Sequence, residues 1–216
     1  MKNYLVEFIG TFFLVFVICL TGGNYLAPIA IGSMLMVMVY FGGHISGAHY
    51  NPAVTLALFI RGKISAKDSL IYIVFQVLGS LAASYVFFLI WGRSIGGPRP
   101  NADINVLKPL AIEMIFTFAL ASVVLAVATS KKTAGNSYYG LAIGFTVMAA
   151  AFAGGEISGG AYNPAVGAGP ILIDTFFGTC PCHPIQNLWL YLVGPFAGAA
   201  VAAFVFRFIN ADELTS

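Results

Sequence analysis

The sequence predicts an all-α integral membrane protein with six transmembrane helices and two re-entrant half-helices, arranged as an inverted 3+3 internal repeat. Three observations predict this fold class: an apolar composition, six long apolar segments, and one motif that occurs twice. Of the 216 residues, 59% are hydrophobic and 8% are charged, and the mean hydropathy is +0.90. Soluble domains carry about 25% charged residues, so a chain this apolar is expected to lie in a lipid bilayer.

Charge and cysteine content narrow the class further. The net charge is +2 and the basic residues are dispersed, so no nucleic-acid partner is expected. Three cysteines in an apolar chain do not make a disulfide framework. Cys180, Cys182 and His183, around Pro181, offer three soft ligands, whereas a closed zinc site needs four. We expect unpaired thiols and no metal there, with a metal site or a disulfide to Cys19 or to a neighbouring protomer as the alternatives.

Six apolar segments each approach the roughly 20 residues that a helix needs to cross a bilayer. None shows the strict apolar–polar alternation of an outer-membrane barrel strand. The segments are residues 4–20, 25–41, 69–91, 109–129, 138–153 and 188–206.

The repeated motif reads GGHISGAHYNPAV at residues 42–54 and GGEISGGAYNPAV at residues 154–166, which is 112 positions later. A single Asn-Pro-Ala is weak support for anything, because Asn-Pro is a common turn opener. Two near-copies half a chain apart indicate an internal duplication. The copies differ at three pairs of positions, His44/Glu156, Ala48/Gly160 and His49/Ala161.

Each copy predicts an irregular loop that ends at the N-terminus of a short helix. Asn is a favourable N-cap, and Pro is well placed in the first helical turn. Asn51 and Asn163 are therefore expected to cap these helices and to keep their side-chain amides free. The helices are expected at residues 52–60 and about 164–173. At 1.5 Å per residue, neither is long enough to cross about 30 Å of hydrocarbon.

The duplication extends beyond the loops, because residues 7–12 (EFIGTF) resemble residues 113–118 (EMIFTF). Each half then holds three spans, so the second half must enter the membrane from the opposite side. The two half-helices are expected to meet, N-terminus to N-terminus, near the bilayer midplane. We expect a single domain over residues 1–216, with repeat 1 at about 1–91, a linker at about 92–106 and repeat 2 at about 107–210.

The distribution of lysine and arginine predicts that both termini are cytoplasmic. In that orientation seven basic residues lie inside and three lie outside, in agreement with the positive-inside rule. A plasma (inner) membrane location is expected. The inner residues are Lys2, Arg61, Lys63, Lys67, Lys131, Lys132 and Arg207, and the outer ones are Arg93, Arg99 and Lys108.

Irregular backbone at membrane depth is tolerated inside protein or along a water-filled cavity. The carbonyls of residues 43–50 and 155–162 are expected to form a ladder of acceptors through each half of the membrane. Where the loops meet, two Asn amides and two helix N-termini create positive potential. The pattern predicts a path for small neutral molecules in file, with cations and protons opposed at its centre.

These features resemble the aquaporin (major intrinsic protein) family over nearly the whole chain. The resemblance rests on both Asn-Pro-Ala boxes, on Glu7 and Glu113 in the first and fourth spans, and on glycine-rich residues 194–198. It implies one pore per protomer, a homotetramer in the lipid bilayer, no cofactor, and water and small neutral solutes as permeating molecules. The pore motifs carry over to Asn51, Pro52, Ala53, Asn163, Pro164 and Ala165.

The sequence departs from the family at the outer selectivity filter. Family members usually have Arg directly after the second Asn-Pro-Ala, where this chain has Val166. Counting from the motifs, the other three filter positions fall on Ile31, Ala151 and Gly160. In water-selective members of the family that this chain resembles, these positions hold an aromatic residue, a His, a small residue and an Arg. We therefore expect a wide apolar filter that passes neutral solutes of glycerol, urea or ammonia size.

Five polar residues are candidates for supporting the loops or the pore. Carboxylates inside spans are costly and usually functional. Glu7 and Glu113 are expected to accept from orphan N–H groups of the loops, and a proton relay is the alternative. His44 and Glu156 are expected to brace the loop ends. The alternatives are a pH-sensitive gate at His44 and attraction of cations at Glu156. His49 is a candidate donor to the inner pore.

Two functions other than a passive channel are compatible with these sequence features. Inverted repeats with broken helices also describe secondary transporters, and a membrane scaffold with a closed pore would share the fold. The sequence shows no nucleophile–base pairing and no cofactor motif, so an enzyme is not expected.

Overall fold

The computed structural model describes residues 1–178 and 184–213. The candidate ligands Cys180, Cys182 and His183 lie outside the described residues. Within them the chain forms α-helices, short 3-10 helices and no strand. The α-helices are α1 (Lys2–Thr21), α2 (Ala27–Ser46), α3 (Pro52–Ile60), α4 (Ala66–Trp91), α5 (Leu107–Thr129), α6 (Tyr139–Ser158), α7 (Pro164–Phe176) and α8 (Leu188–Ile209). The 3-10 helices are Lys131–Thr133, Pro184–Asn187 and Ala211–Glu213.

Six of these helices, α1, α2, α4, α5, α6 and α8, are long and apolar enough to cross a membrane. The other two are short, with 9 residues in α3 and 13 in α7. At 1.5 Å per residue they measure about 14 and 20 Å, which is less than the roughly 30 Å of hydrocarbon in a bilayer. The predicted fold class, six spans with two half-helices, is confirmed.

The two halves of the chain pack in matching ways. Helix α1 packs on α4 as α5 packs on α8, and α2 crosses α6 between the halves. At that crossing, a Cβ built on Gly32 would lie 2.7 Å from the carbonyl oxygen of Gly144, and a Cβ on Gly144 would lie 2.5 Å from that of Gly32. The two glycines are 112 positions apart, which is the offset of the motif. Equivalent positions therefore face each other where the repeats meet, and small residues allow this close approach.

Helices α2 and α6 run further than the apolar segments predicted, to Ser46 and Ser158. The next glycine adopts a left-handed φ of 87° or 90°, and its N–H donates to the carbonyl four residues back. The expected ladder of free carbonyls is therefore wrong for the first part of each motif, because that part is helical. Residues 47–50 and 159–162 depart from helix. Helix α7 also runs beyond its predicted end, to Phe176.

A buried ion pair ties three segments together at one end of the bundle. Arg61, which follows α3, contacts Glu213 at 3.1 Å, and the two side chains are 5% and 3% exposed. The Glu213 carboxylate also accepts from the Ser130 hydroxyl and, at 3.3 Å, from the N–H of Lys131. The Arg61 guanidinium lies 5.2 Å from the ring centroid of Phe206. The end of α3, the α5–α6 connection and the segment after α8 are thereby joined.

Candidate functional site

The two half-helices meet at Asn51 and Asn163. Each Asn is the N-cap of its half-helix, in an extended conformation. The Asn51 side-chain oxygen accepts from the N–H of Ala53 at 2.8 Å, and that of Asn163 accepts from Ala165 at 2.9 Å. The proline after each Asn occupies the first helical position, where its missing N–H would have no helical partner. The local sequence thus brings both Asn side chains to helix N-termini.

Each Asn also reaches across to the other loop. Nδ2 of Asn51 donates to the carbonyl of Tyr162 at 2.9 Å, and Nδ2 of Asn163 donates to the carbonyl of Tyr50 at 2.9 Å. The expectation that both amides are free is therefore corrected, because one hydrogen of each amide joins the loops. An Asn amide carries two hydrogens, so one per side chain remains for a molecule in the adjoining cavity.

The carboxylates of Glu7 and Glu113 are fully buried and accept from the two loops. Glu7 accepts from the N–H of Tyr50 at 2.7 Å, and Glu113 accepts from the N–H of Tyr162 at 2.6 Å. A second N–H, from the preceding residue in each loop, lies at 3.0 Å. One serine hydroxyl donates to each carboxylate, at 2.6 and 2.7 Å. Unpaired N–H groups cost several kcal/mol away from water, and the two acids remove this cost.

The residue before each Asn has a strained backbone. Tyr50 and Tyr162 have φ values of 49° and 50°, in a left-handed region that a bulky side chain rarely adopts. Their hydroxyls donate to the carbonyls of Met38 and Ala150, at 2.9 Å in both cases. Strain of this kind persists where the surroundings over-determine the conformation. Here the N–H, the carbonyl and the hydroxyl of each tyrosine are all bonded, so both loops are held rigidly.

A cavity of about 960 Å³ lies against these loops, and both Asn residues contribute to its wall. The structure brings the four predicted filter positions, Ile31, Ala151, Gly160 and Val166, into the same wall. None of these four side chains carries a charge or a hydrogen-bond donor. This part of the cavity is therefore apolar.

The remaining predicted residues lie in different surroundings. His49 is buried and lines the cavity, and its Nδ1 lies 3.1 Å from the hydroxyl oxygen of Thr55. Glu156 lines the cavity and is exposed. His44 is exposed and does not line the cavity. The two residues of the His44/Glu156 pair therefore have different surroundings, since only Glu156 lines the cavity, although their positions are equivalent in the repeat.

A polar network around Glu7 was missed from the sequence. Nε2 of Gln76 donates to the Glu7 carboxylate at 2.8 Å and to the Thr55 hydroxyl at 3.0 Å. Gln76 and Thr55 are fully buried. One feature of the sequence could have indicated this network, namely a glutamine in an otherwise apolar span, because polar groups at membrane depth need partners. The network connects Glu7 to His49 and hence to the cavity wall.

The position of the linker was also missed. Residues 95–99 lie in the cavity wall, although the linker was predicted only as a connection between the halves. The buried carboxylate of Asp174, in the last turn of α7, accepts from the N–H groups of Ile95, Gly96 and Gly97. An acid at the C-terminal end of a helix is electrostatically unfavourable without a partner. This was the one signal that Asp174 has a specific role.

Comparison with known proteins agrees with this geometry. The family described as Major intrinsic protein matches residues 1–206. Aquaporin NIP1-3 of Oryza sativa subsp. japonica is 38% identical over 223 residues, 97% of this chain and 74% of that protein. Aquaporin TIP1-2 of Zea mays is 37% identical over 189 residues, 87% of this chain and 71% of that protein.

The X-ray structure of the aquaglyceroporin from Plasmodium falciparum has the same fold. Its TM-score to this chain is 0.83 at 21% identity, and the match covers 95% of this chain and 94% of that one. The family match and the relatives both extend over most of this chain. The chain therefore belongs to the major intrinsic protein (aquaporin) family, whose members are membrane channels for water and small solutes and not enzymes.

Proposed function

We propose that this protein is a passive channel for water and for neutral solutes of glycerol, urea or ammonia size. The observation that carries the proposal is the wall formed by Ile31, Ala151, Gly160 and Val166, which offers neither charge nor side-chain donor. A wide apolar ring lowers the steric barrier to solutes larger than water. It also gives water no compensating hydrogen bonds, so water conduction should be measurable but not outstanding.

The centre of the path is polar and supports selectivity against cations. Asn51 and Asn163 each have an amide hydrogen left for a passing molecule, next to the N-termini of α3 and α7. Helix N-termini carry about half a positive charge each. Neutral molecules can accept hydrogen bonds here, whereas cations and protons meet a positive potential. Proton exclusion rests mainly on this centre in our proposal.

A channel is favoured over a secondary transporter or a closed scaffold. A transporter would need titratable or ion-binding groups in its path, and both span carboxylates, Glu7 and Glu113, are occupied by loop donors. A closed scaffold would not need a cavity of about 960 Å³ that reaches both Asn residues. Four donors on the Glu7 carboxylate and three on that of Glu113 support a bracing role for the two acids.

We propose a homotetramer of single-domain protomers, each with its own pore, in the plasma (inner) membrane with both termini cytoplasmic. Each protomer comprises repeat 1 at about 1–91, a linker at about 92–106 and repeat 2 at about 107–210. Large apolar side chains exposed on the spans, such as Phe145 at 54% and Phe204 at 61%, support lipid or protomer contacts. Light scattering in mild detergent and cross-linking in lipid should both report four chains. Single chains in both media would contradict this assembly.

Stopped-flow light scattering of proteoliposomes tests the solute proposal. We expect flux of water and of glycerol, urea or ammonia without any ion gradient, and a low activation energy for each. Protein-free liposomes of the same lipid are the control. Flux that requires an ion gradient would indicate a transporter. Water flux with exclusion of every one of these solutes would show that another side chain closes the outer pore.

A further inference from the structure

The linker brings a cation to a pore whose filter positions have none. Among the described residues, the charged residues that line the cavity are Arg99, from the linker, and Glu156, near the end of α6. The other titratable residues in the wall are His49 and three tyrosines, Tyr25, Tyr50 and Tyr162. A guanidinium stays charged at all accessible pH values and offers five donors.

The backbone that carries Arg99 is anchored on α7. Asp174, which is 2% exposed, accepts from Ile95 at 2.7 Å, from Gly96 at 2.9 Å and from Gly97 at 3.3 Å. A Cβ on Gly97 would lie 2.9 Å from Cβ of Pro170, one helical turn beyond the filter position at 166. The linker is therefore in direct contact with the half-helix that holds Val166.

The same backbone is anchored on the second loop. The N–H of Asn101 donates to the carbonyl of Ile157 at 3.0 Å. A Cβ on Gly159 would lie 2.4 Å from the backbone nitrogen of Arg99, so the two main chains touch. Gly159 precedes the filter position Gly160 and has a φ of 90°, so a side chain there is excluded by space and by conformation. Arg99 is thus held between the two elements that carry Gly160 and Val166.

We propose that Arg99 supplies, from the linker, the fixed positive charge of the outer pore that the residue at position 166 lacks, and that Asp174 is its positioning residue. This inference rests on the proposed channel function. The guanidinium charge offsets the carboxylate of Glu156 and opposes entry of monovalent cations. Without it, Glu156 would be the fixed charge at the mouth and would attract cations.

Replacement of Arg99 tests the role of its charge. The measured quantity is the permeability ratio of ammonium to chloride for the purified full-length protein in planar bilayers. The bilayers hold an ammonium chloride gradient at a pH where ammonium predominates. Arg99→Gln should raise this ratio about three- to tenfold. Loss of a positive charge several Å from the path lowers the electrostatic barrier to cation entry, and a change of this size corresponds to such a factor. Arg99→Lys should keep the wild-type ratio, and Glu156→Gln should lower it.

Arg93→Gln is the matched control, because Arg93 lies on the same linker with its guanidinium 4.9 Å from the ring centroid of Trp91 and does not line the cavity. This variant should leave the ratio unchanged. Equal ratios in wild type, Arg99→Gln and Arg93→Gln would overturn the role of Arg99 while the channel itself stands. A wild-type protein without water or solute flux would overturn the proposed function and this inference together.

A double-mutant comparison tests the positioning role of Asp174. Asp174→Asn removes the carboxylate that accepts from three linker N–H groups. It should raise the ammonium ratio in the wild-type background and have no further effect in the Arg99→Gln background. Equal additional effects in both backgrounds would show that Asp174 does not act through Arg99. If Asp174→Asn does not fold, the Arg99→Gln and Arg99→Lys pair still decides the main proposal.

Discussion

The two ends of each motif asparagine side chain have different partners. The oxygen of Asn51 caps its own half-helix, while its nitrogen donates to the carbonyl of Tyr162 in the opposite loop. Asn163 repeats this arrangement with Tyr50. An aspartate could replace the oxygen but not the nitrogen, so the amide is needed for the cross-loop bond. The same side chain therefore caps the N-terminus of a helix, joins the repeats and faces the cavity.

Val166 is the residue at which the filter proposal is tested directly. Val166→Arg should reduce glycerol and urea permeability more than water permeability, because a guanidinium narrows the cavity and gives water hydrogen bonds that the valine does not offer. Solute and water fluxes in proteoliposomes measure this. Val166→Met adds length without donors and is the control for bulk. Equal losses of water and solute flux in Val166→Arg would contradict a wide apolar filter.

At the scale of elements, the crossing of α2 and α6 depends on the absence of a side chain at Gly32. Gly32→Ala would place a methyl group 2.7 Å from the carbonyl oxygen of Gly144 and from Cβ of Met148. The helices would have to move apart, and overpacking of this kind costs about 1–3 kcal/mol. We expect a lower midpoint of thermal unfolding in detergent.

Gly155→Ala is the matched control for that experiment. Gly155 is also a helical glycine, in α6, but nothing lies within 4 Å of a Cβ built on it. Alanine is favoured over glycine inside a helix by roughly 1 kcal/mol, so this variant should be neutral or slightly more stable. Equal effects of the two substitutions would show that the α2–α6 contact does not limit stability.

At the scale of the whole molecule, the Arg61–Glu213 pair makes stability depend on pH. The hydrogen bond from the Ser130 hydroxyl lowers the pKa of Glu213 below its usual value, as do the N–H of Lys131 and the charge of Arg61, against an opposing effect of burial. A lowered pKa in the folded state stabilises the protein above the ordinary glutamate pKa of about 4.3. This stabilisation should be lost as the pH falls through that value and then through the lower folded-state pKa.

Thermal unfolding of wild type and Glu213→Gln across this pH range tests the prediction. The variant should be less stable at neutral pH, because it leaves the buried Arg61 charge without a counter-charge. The stability of the variant should also depend less on pH in the acidic range. Asp212→Asn is the control, since its ion pair with Lys132 at 2.8 Å is exposed, 62% and 61%, and should contribute little. Parallel profiles for wild type and Glu213→Gln would rule out this pair as the source of acid sensitivity.

Much of the architecture follows from the sequence by itself. Composition and segment length determined a membrane protein with six spans, because lipid requires long apolar helices with all backbone groups bonded. The duplicated motif determined the two half-helices, because an N-cap and a proline at the first position act on their own neighbours. The pairing of Glu7 and Glu113 with the loops was predictable for a related reason, since buried N–H groups need acceptors and few were available.

The tertiary structure decided which distant groups meet. Asn51 bonds to a carbonyl 111 positions away, and Asp174 bonds to an N–H 79 positions away. The sequence contains these donors and acceptors, but many alternative pairings would satisfy them equally well. Packing of the repeats selects one set by placing the linker over α7 and the second loop. The four predicted filter positions were counted from the motifs and line the cavity, whereas the place of Arg99 in the cavity wall required the folded chain.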